Sequence, residues 1–411
     1  MTTMATPSRL LGTKRSVPCP VAFWLVSAAI ATVTAASSAP SPLYPVYQAQ
    51  FGFSEITLTT IFAIYVFSLL ISLLTIGRLS DYMGRRVVLA GALAVDAVAM
   101  ALFVGSNSVG WLLWARAVQG VATGAAFGVA GAYLFDLQPE GSRLGSLVNT
   151  ALPLLGIGLG AIIAGVLVQY GPHPTRLIFV ILMALFVVLA LATALLPETV
   201  QRVPGAAAAL RPRVAVPPRA RRAFVGAVPT MVSGWALNGL TLSVGASLLG
   251  TLFRQSNHGA IGLVIGLFTL SAAAATVLER DMSPWTMARL GSAVIAAGAV
   301  LFVLALTWTS IALFVLASIV GGGGFGTGYL GSIRSVSQLA EIHERAGLIS
   351  AVYVVSYLAF SIPALVAGVL ATHIGLRHTS FGYGCLIALI AFSALTFARL
   401  NARRQHGGAG R

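Results

Sequence analysis

The chain has 411 residues, of which 57% are hydrophobic and only 9% are charged. Soluble domains carry about 25% charged residues, so a water-soluble fold of this length could not cover its surface. The net charge of +15 could indicate a nucleic-acid partner, but the basic residues lie at the ends of apolar segments and form no single basic face. Composition therefore predicts a helical membrane protein in a lipid bilayer and excludes a nucleic-acid-binding domain.

Twelve apolar segments of about 19 or more residues are long enough to cross the ~30 Å hydrocarbon core as α-helices. The first also loosely fits a signal peptide, but it is long enough to span, and counting it places both termini on one side. The predicted spans are 21–39, 57–76, 87–105, 111–135, 144–170, 175–196, 224–252, 260–279, 286–306, 309–332, 347–371 and 379–399.

Basic residues occupy alternate connections between these spans. With the amino terminus inside, 21 of the 25 Lys and Arg residues lie in cytoplasmic segments. Arg176, Arg254 and Arg377 lie outside, and Arg116 lies within the fourth span. Because cytoplasmic loops carry an excess of Lys and Arg, we expect a multi-pass protein of the cell (inner, cytoplasmic) membrane with both termini in the cytoplasm.

A longer connection rich in Pro, Ala and Arg divides the spans into two groups of six. Ala164-Gly-Val-Leu167 in the fifth span recurs as Ala367-Gly-Val-Leu370 in the eleventh. Such an internal repeat is typical of transporters that bind substrate between two halves. The predicted parts are an N-terminal tail (1–20), a six-helix bundle (21–196), a cytoplasmic linker (197–223), a second bundle (224–399) and a C-terminal tail (400–411).

The connection between the second and third spans has a distinctive spacing. It reads Gly77-Arg-Leu-Ser-Asp81-Tyr-Met-Gly84-Arg85-Arg86. Gly84 permits a tight turn, and Asp81 suits an arginine pair or a helix amino terminus. An ordinary positive-inside loop would explain the arginines but not this spacing. The segment resembles the signature loop of the major facilitator superfamily, with every principal position filled.

This resemblance implies an all-α integral membrane protein with twelve transmembrane helices in two pseudo-symmetric six-helix bundles. It also implies secondary transport by alternating access. By the same resemblance, Asp81 would help latch the two halves together on the cytoplasmic side in the outward-open state. Arg85 would pair with an acidic residue at the end of helix four, for which Asp136 is well placed.

The fourth span begins Leu112-Leu-Trp-Ala-Arg116-Ala-Val-Gln119-Gly120. This pattern resembles the family's second signature, whose arginine is implicated in proton coupling or substrate contact. An arginine inside a span costs roughly 2.5–3.5 kcal/mol, so it normally faces a cavity or a partner. The alternative is that Arg116 snorkels to the surface. Gln119, one turn away on the same face, favours the cavity.

The fifth span contains Gly156-x-x-x-Gly160-Ala161-x-x-Ala164-Gly165. It resembles the family's antiporter signature, with the proline replaced by Ala161 and one glycine by Ala164. Close helix packing could also explain small residues at this spacing. The retained glycines favour an antiporter.

Asp96 is the only acidic residue near the middle of a predicted span. A lone intramembrane carboxylate can be held neutral by desolvation or titrate beside a cation, which is what proton coupling needs. A structural pair with a polar neighbour is the alternative. Many proton-coupled exporters of the family carry an acidic residue in helix one, and span 21–39 has none. Asp96 and Arg116 are therefore the proton-coupling candidates.

Polar and aromatic residues mark a candidate substrate cavity. Trp235 and Asn238 are one turn apart, and Tyr353 and Tyr357 share a helix face; packing or contact with lipid is the alternative for each aromatic residue. The glycine run Gly321–Gly324 predicts a flexible point in helix ten. The cavity candidates are Arg116, Gln119, Asn149, Trp235, Asn238, Tyr329, Tyr353 and Tyr357.

The leading functional prediction is a secondary-active exporter that exchanges a small amphipathic organic compound for protons. The alternative is a proton-coupled importer (a symporter) of a metabolite such as an organic acid or sugar, with Arg116 pairing with a substrate carboxylate. A sensor or membrane-embedded enzyme is a third class. The sequence has no nucleophile–base pair, metal cluster or Walker-type loop. We therefore expect no enzyme, catalytic residue, metal or cofactor, and a monomer.

Overall fold

The computed structural model describes residues 17–139, 142, 144–341 and 344–407. The predicted tails therefore lie outside the described residues at positions 1–16 and 408–411. The described residues are 82% helical and contain no β-strand. Twelve of its helices are long and apolar enough to cross a membrane. This confirms the predicted all-α multi-pass fold.

The spanning helices are numbered α1 to α12, and their bounds are α1 (Cys19–Ser38), α2 (Glu55–Thr75), α3 (Arg85–Val104), α4 (Val109–Leu137), α5 (Leu144–Tyr170), α6 (Leu177–Ala192), α7 (Arg221–Ser243), α8 (His258–Leu278), α9 (Pro284–Trp308), α10 (Ile311–Ser337), α11 (Arg345–Ile374) and α12 (Leu376–Gly407). The short helices between them are Tyr44–Phe51, Ser80–Met83, Ala206–Ala209 and Gly245–Thr251.

The predicted seventh span, 224–252, is wrong at its end. It stops at Ser243, and Val244 (φ −110°, ψ −1°) separates it from the helix Gly245–Thr251.

Successive helices run in opposite directions, so their connections gather at two ends of the bundle. We call the end with the α2–α3, α4–α5, α6–α7, α8–α9 and α10–α11 connections the arginine-rich end. There the amide of Val17 donates to the carbonyl of Leu195 over 3.0 Å. At the opposite end, the hydroxyl of Tyr47 donates to the carbonyl of Thr175 over 3.3 Å.

Helices α1–α6 form one half of the molecule and α7–α12 form the other. Within the halves, α3 packs on α4 and α6, and α7 packs on α10, α11 and α12. Two seams join the halves, because α5 packs along α8 and α2 packs along α11. Any substrate path between the halves therefore runs between these seams.

Helices α9 and α10 lie in backbone contact through glycines. A Cβ atom on Gly298 would lie 2.5 Å from the Cα of Gly321, and one on Gly324 would lie 2.5 Å from the amide nitrogen of Ile295. Helix α10 is also continuous from Ile311 to Ser337. No bend occurs at Gly321–Gly324 in this conformation. Gly321, Gly322 and Gly324 instead permit close packing against neighbouring helices, while Gly323 meets no neighbour.

The α9–α10 contact yields a matched test. Gly324→Ala should reduce the free energy of unfolding by about 1–3 kcal/mol, because the new methyl group overpacks against α9. Gly323→Ala is the control, since a Cβ atom there meets nothing within 4 Å. It should be neutral or stabilising, because alanine is the better helix former by ~1 kcal/mol. Equal thermal unfolding midpoints for the two purified variants in detergent would contradict the close contact.

Candidate functional site

A cleft of about 410 Å³ opens between the halves at the arginine-rich end. This volume suits a small organic molecule. One wall comes from α5, and the other comes from the ends of α8 and α10. Its lining residues are Leu144, Ser146, Leu147, Thr150, Ala151, Thr276, Arg280, Asp281, Leu330 and Arg334. The walls are therefore mostly apolar and hydroxyl-bearing, with their charges at the mouth.

The cleft is closed towards the opposite end by the α5–α8 seam. A Cβ atom on Gly262 of α8 would lie 2.5 Å from the carbonyl oxygen of Ala161, and one on Gly165 of α5 would lie 2.5 Å from that of His258. The amide of His258 also donates to Oε1 of Gln169 over 2.8 Å. The two backbones touch here because no side chain separates them.

Polar contacts and the α2–α11 seam complete this closure. The hydroxyl of Ser247, in the second half, donates to Oε1 of Gln48 in the first over 3.1 Å. Nε2 of Gln48 in turn donates to Oε1 of Glu55 over 3.1 Å. Thr59 of α2 is fully buried and lies against Gly368 of α11. The halves therefore meet at the opposite end and part at the arginine-rich end.

The glycines of the antiporter-like pattern serve two different contacts. Gly156 packs against Thr34 of α1, and a Cβ atom on Gly160 would lie 2.2 Å from the carbonyl oxygen of Ala35. Gly165 instead faces α8 across the seam. The first two glycines thus hold α5 to its own half, and the third allows contact between the halves.

Widening the α5–α8 seam should open the closed end. In a background with Cys19→Ser and Cys385→Ser, Thr59→Cys supplies a reporter at a buried position. Adding Gly262→Trp should increase alkylation of that cysteine by a maleimide at least fivefold, because the indole cannot fit between the two backbones. Gly250→Trp is the control, since a Cβ atom there meets nothing within 4 Å. Equal labelling rates for the two would contradict this gate.

Arg85 is the centre of a polar network at the arginine-rich end. Its Nη1 donates to Oδ1 of Asp81 over 2.6 Å and to the hydroxyl of Ser80 over 2.9 Å. Its Nε donates to Oδ2 of Asp136 over 3.2 Å. The structure therefore places Arg85 against the end of α4. Asp81 stays within its own half and is half exposed.

Glu198, which follows α6, belongs to the same network and was missed in the sequence. Its carboxylate accepts from the amides of Arg85 over 2.9 Å and Arg86 over 3.4 Å, at the amino terminus of α3. Gly84 has φ +97°, and a Cβ atom there would clash with this carboxylate. In the sequence Glu198 follows the end of α6, far from the start of α3 whose free amides need acceptors, so no local pattern linked the two. Nearby, Gly77 lets α2 approach Gly128 of α4.

Arg116 and Gln119 do not lie on the cleft wall, which corrects the cavity expectation for this conformation. Arg116 is 1% exposed, so it does not snorkel either. Its Nη1 donates to the Ser37 carbonyl over 3.0 Å and to Oε1 of Gln119 over 2.9 Å, and its Nη2 donates to the Tyr44 hydroxyl over 2.6 Å. Three aromatic rings surround the guanidinium, those of Tyr44, Tyr65 and Phe103. The arginine thus ties α4 to the end of α1.

Asp96 is fully buried in α3. Neither carboxylate oxygen has a hydrogen-bond partner, and no ion pair involves this residue in the described part of the chain. The expected alternative, a structural pair with a polar neighbour, does not occur in this conformation. An ionised carboxylate without a partner is costly to bury, so the neutral form suits this position.

Aromatic side chains form a cluster next to the cleft, deeper in the bundle than its lining residues Leu330 and Arg334. The ring of Trp235 lies 5.3 Å from those of Phe325, Tyr329 and Phe360, and 5.4 Å from that of Tyr357. We call these five residues the Trp235 cluster. Like Asn238 and Tyr353, none of the five is among the residues that line the cleft, which corrects the cavity assignment for this conformation. Tyr329 directly precedes the lining residue Leu330, so the cluster adjoins the cleft along α10. It brings together helices α7, α10 and α11.

The cluster extends in two directions from these five residues. Tyr353 lies beside Tyr357, with ring centroids 6.1 Å apart. Phe360 meets Phe62 of α2 at 4.9 Å, which links the cluster to the other half. Phe62 and Phe360 were missed in the sequence. The signal for Phe360 was its place one turn after Tyr357 on the same helix.

Asn149 does not lie on the cleft wall, which corrects its cavity assignment for this conformation. A Cβ atom on Gly131 of α4 would lie 3.0 Å from Oδ1 of Asn149. This residue therefore packs towards α4, while Leu147, Thr150 and Ala151 line the cleft.

Comparison with known sequences identifies one family over most of the chain. The profile of the Major Facilitator Superfamily matches residues 26–327. A segment of 93 residues is 32% identical to the MFS-type efflux transporter phmH of Phaeosphaeria nodorum and 34% identical to the MFS-type efflux transporter ffsH of Aspergillus flavipes. Each alignment covers 22% of this chain and only 16% of the relative.

Solved structures with the same fold cover nearly the whole chain. A bacterial homologue of the human lysosomal transporter Spinster, in an inward-facing and unoccupied conformation, has a TM-score of 0.74 and 13% identity, covering 94% of this chain and 98% of its own. A mutant of the nucleoside transporter NupG has a TM-score of 0.70 and 13% identity, covering 92% and 99%. The human organic anion transporter MFSD10 has a TM-score of 0.66 and 18% identity, covering 92% and 100%.

Proposed function

Because the chain belongs to the major facilitator superfamily and is a secondary transporter that works by alternating access, we propose that it exports a small amphipathic organic compound in exchange for protons. Export places the loading step at the cytoplasmic face. The efflux transporters that match a short segment support this direction. The glycine pattern of α5 supports antiport.

The orientation of the cleft is the second part of the proposal. The excess of arginine assigns the arginine-rich end to the cytoplasm, since positive loops remain on that side. A cleft open at this end and closed at the other then receives substrate from the cytoplasm. We assign the protein to the cell membrane, with both termini inside.

The burial of Asp96 is the observation on which the proposal of proton exchange rests. Its carboxyl is fully buried and without a partner. Such a group is neutral in a dry environment and loses its proton when water or a cation reaches it. Alternating access changes which surfaces meet water, so the same motion that moves the substrate can load and release this proton.

The importer alternative needed Arg116 to bind a substrate carboxylate. In this conformation its terminal nitrogens already donate to Ser37, Gln119 and Tyr44. The guanidinium is covered by aromatic rings, and Arg116 is not among the residues that line the cleft. We therefore assign Arg116 to holding the first half rigid, with Asp96 as the proton-carrying residue.

Transport in everted membrane vesicles tests this proposal. With an acidic interior, wild-type vesicles should accumulate a member of a panel of fluorescent amphipathic compounds, and an internal pH dye should report proton exit on its addition. Asp96→Asn should lower gradient-driven accumulation at least tenfold, because the amide cannot exchange a proton, while binding of the compound is retained. Glu341→Gln is the control, since its exposed ion pair with Arg219 contributes little.

The outcomes separate the parts of the proposal. Full accumulation by Asp96→Asn would remove that residue from coupling. Accumulation that ignores the pH gradient would remove protons as the coupling ion. Uptake only with the opposite gradient and vesicle orientation would reverse the direction and favour the importer.

Asp81 gives a further prediction for alternating access. In this conformation its carboxylate is 50% exposed and bonded to Arg85 of its own half, so Asp81→Asn should change the thermal unfolding midpoint little. Its latch with the other half, expected from the signature loop, belongs to the outward-open state. Asp81→Asn should therefore lower transport severalfold at equal expression. Wild-type transport rates would contradict the latch.

A further inference from the structure

The Trp235 cluster adjoins the cleft along α10 and lies deeper in the bundle, and its rings do not line the cleft in this conformation. Trp235 and Asn238 are one turn apart on α7, and Asn238 is 1% exposed. Tyr329 stands beside the cleft residue Leu330, and Phe360 contacts Phe62 of the other half. The cluster thus lies between the cleft and the α2–α11 seam.

Three buried polar atoms of this region have no hydrogen-bond partner. They are the indole Nε1 of Trp235, Oδ1 of Asn238 and the hydroxyl of Ser356, which precedes Tyr357 on α11. The Tyr329 hydroxyl lies near the first and the third without forming an aligned hydrogen bond to either. An unpaired buried donor or acceptor costs about 1–3 kcal/mol. An N–H donor one turn from a carbonyl acceptor forms a pair that a bound molecule with both groups could satisfy.

The charges along the path are mainly positive and lie outside the cluster. All five members of the cluster are aromatic, so none of them is acidic or basic. Towards the first half, the guanidinium of Arg116 lies 5.0 Å from the ring centroid of Tyr65. The carboxyl of Asp96 lies near the same tyrosine and adds no negative charge while it holds its proton. At the mouth, Arg280 and Arg334 outnumber Asp281, which itself pairs with Arg280 at 3.5 Å.

This arrangement discriminates by charge. An organic cation would meet positive potential at the mouth and at the inner end, and would find no carboxylate in the cluster. An anion would be attracted, but the two terminal nitrogens of Arg116 are already bonded, its faces are covered by rings, and its one unpaired nitrogen, Nε, is fully buried. A desolvated anion would therefore remain unpaired, which is costly.

We propose that the Trp235 cluster binds the aromatic part of an uncharged substrate, with Trp235 donating a hydrogen bond to it and Asn238 accepting one from it. This binding proposal rests on the proposed transport function and adds the class of substrate that is transported. Ring stacking contributes apolar area and specific geometry. The polar pair then fixes the orientation of the bound molecule.

Equilibrium binding with matched probes tests the proposal. The full chain in lipid nanodiscs is titrated with uncharged N-phenyl-1-naphthylamine, with 8-anilino-1-naphthalenesulfonate, which carries an added sulfonate, and with cationic ethidium. Signals from empty nanodiscs are subtracted. The uncharged probe should bind saturably and at least tenfold more tightly than either ion.

Two variants connect this preference to the cluster. Trp235→Phe keeps an aromatic ring but removes the N–H donor, and should weaken the uncharged probe about tenfold. Asn238→Asp places a carboxylate at the same position and should reverse the preference towards ethidium. Asn257→Asp is the matched control, because it makes the same change at the amino-terminal cap of α8, where aspartate caps equally well. It should leave the order of the three probes unchanged.

Several outcomes would overturn the proposal. They are saturable binding of an ion as tightly as the uncharged probe, no saturable binding of any probe, or no effect of either cluster variant. Because no gradient is imposed, the result is independent of proton coupling. Selective binding with failed gradient-driven transport would reject the exchange mechanism but keep the site, and the converse would reject the site alone.

Discussion

Backbone contact between helices through glycine is the constraint on which this structure depends. Lipid chains are as apolar as leucine, so membrane helices gain little by burying leucine against each other and must gain by close approach. Gly298 and Gly321 bring α9 and α10 together within one half, and Gly165 and Gly262 bring α5 and α8 together across the two halves. The same device therefore stiffens each half and seals one end of the path.

Buried polar groups divide the work between the halves. The first half contains Arg116, whose bonds hold α1 and α4 together, and Asp96, which has no partner. The second half contains the Trp235 cluster, which has no charged member, and the unpaired polar atoms of Trp235, Asn238 and Ser356. In our proposals the proton belongs to the first half and the substrate to the second. Phe62 of the first half contacts Phe360 of the second, so a movement of one half changes the packing at the proposed site in the other.

Length, hydropathy and charge were enough to predict the spans, because bilayer thickness constrains each helix separately. Features that depend on pairs of helices were harder to predict. The run Gly321–Gly324 looked flexible in isolation, but its neighbours make it a packing surface. Glu198 gave no local pattern, because its carboxylate accepts hydrogen bonds from amides at the start of α3, which is distant in the sequence. Asn149 faces α4 instead of the cleft. Its direction depends on how α5 is rotated about its own axis, and the sequence does not give that rotation.

The two proposals together determine how transport uses the membrane potential. Exchange of an uncharged molecule for a proton moves one positive charge inward for each proton, so both the pH gradient and the potential contribute. A potential of 100 mV is worth about 2.3 kcal/mol per charge. Exchange of a monovalent cation for one proton would be electrically silent. A cluster without a carboxylate thus implies export that draws on the potential, because the proton charge entering through Asp96 is not balanced by charge leaving with the substrate.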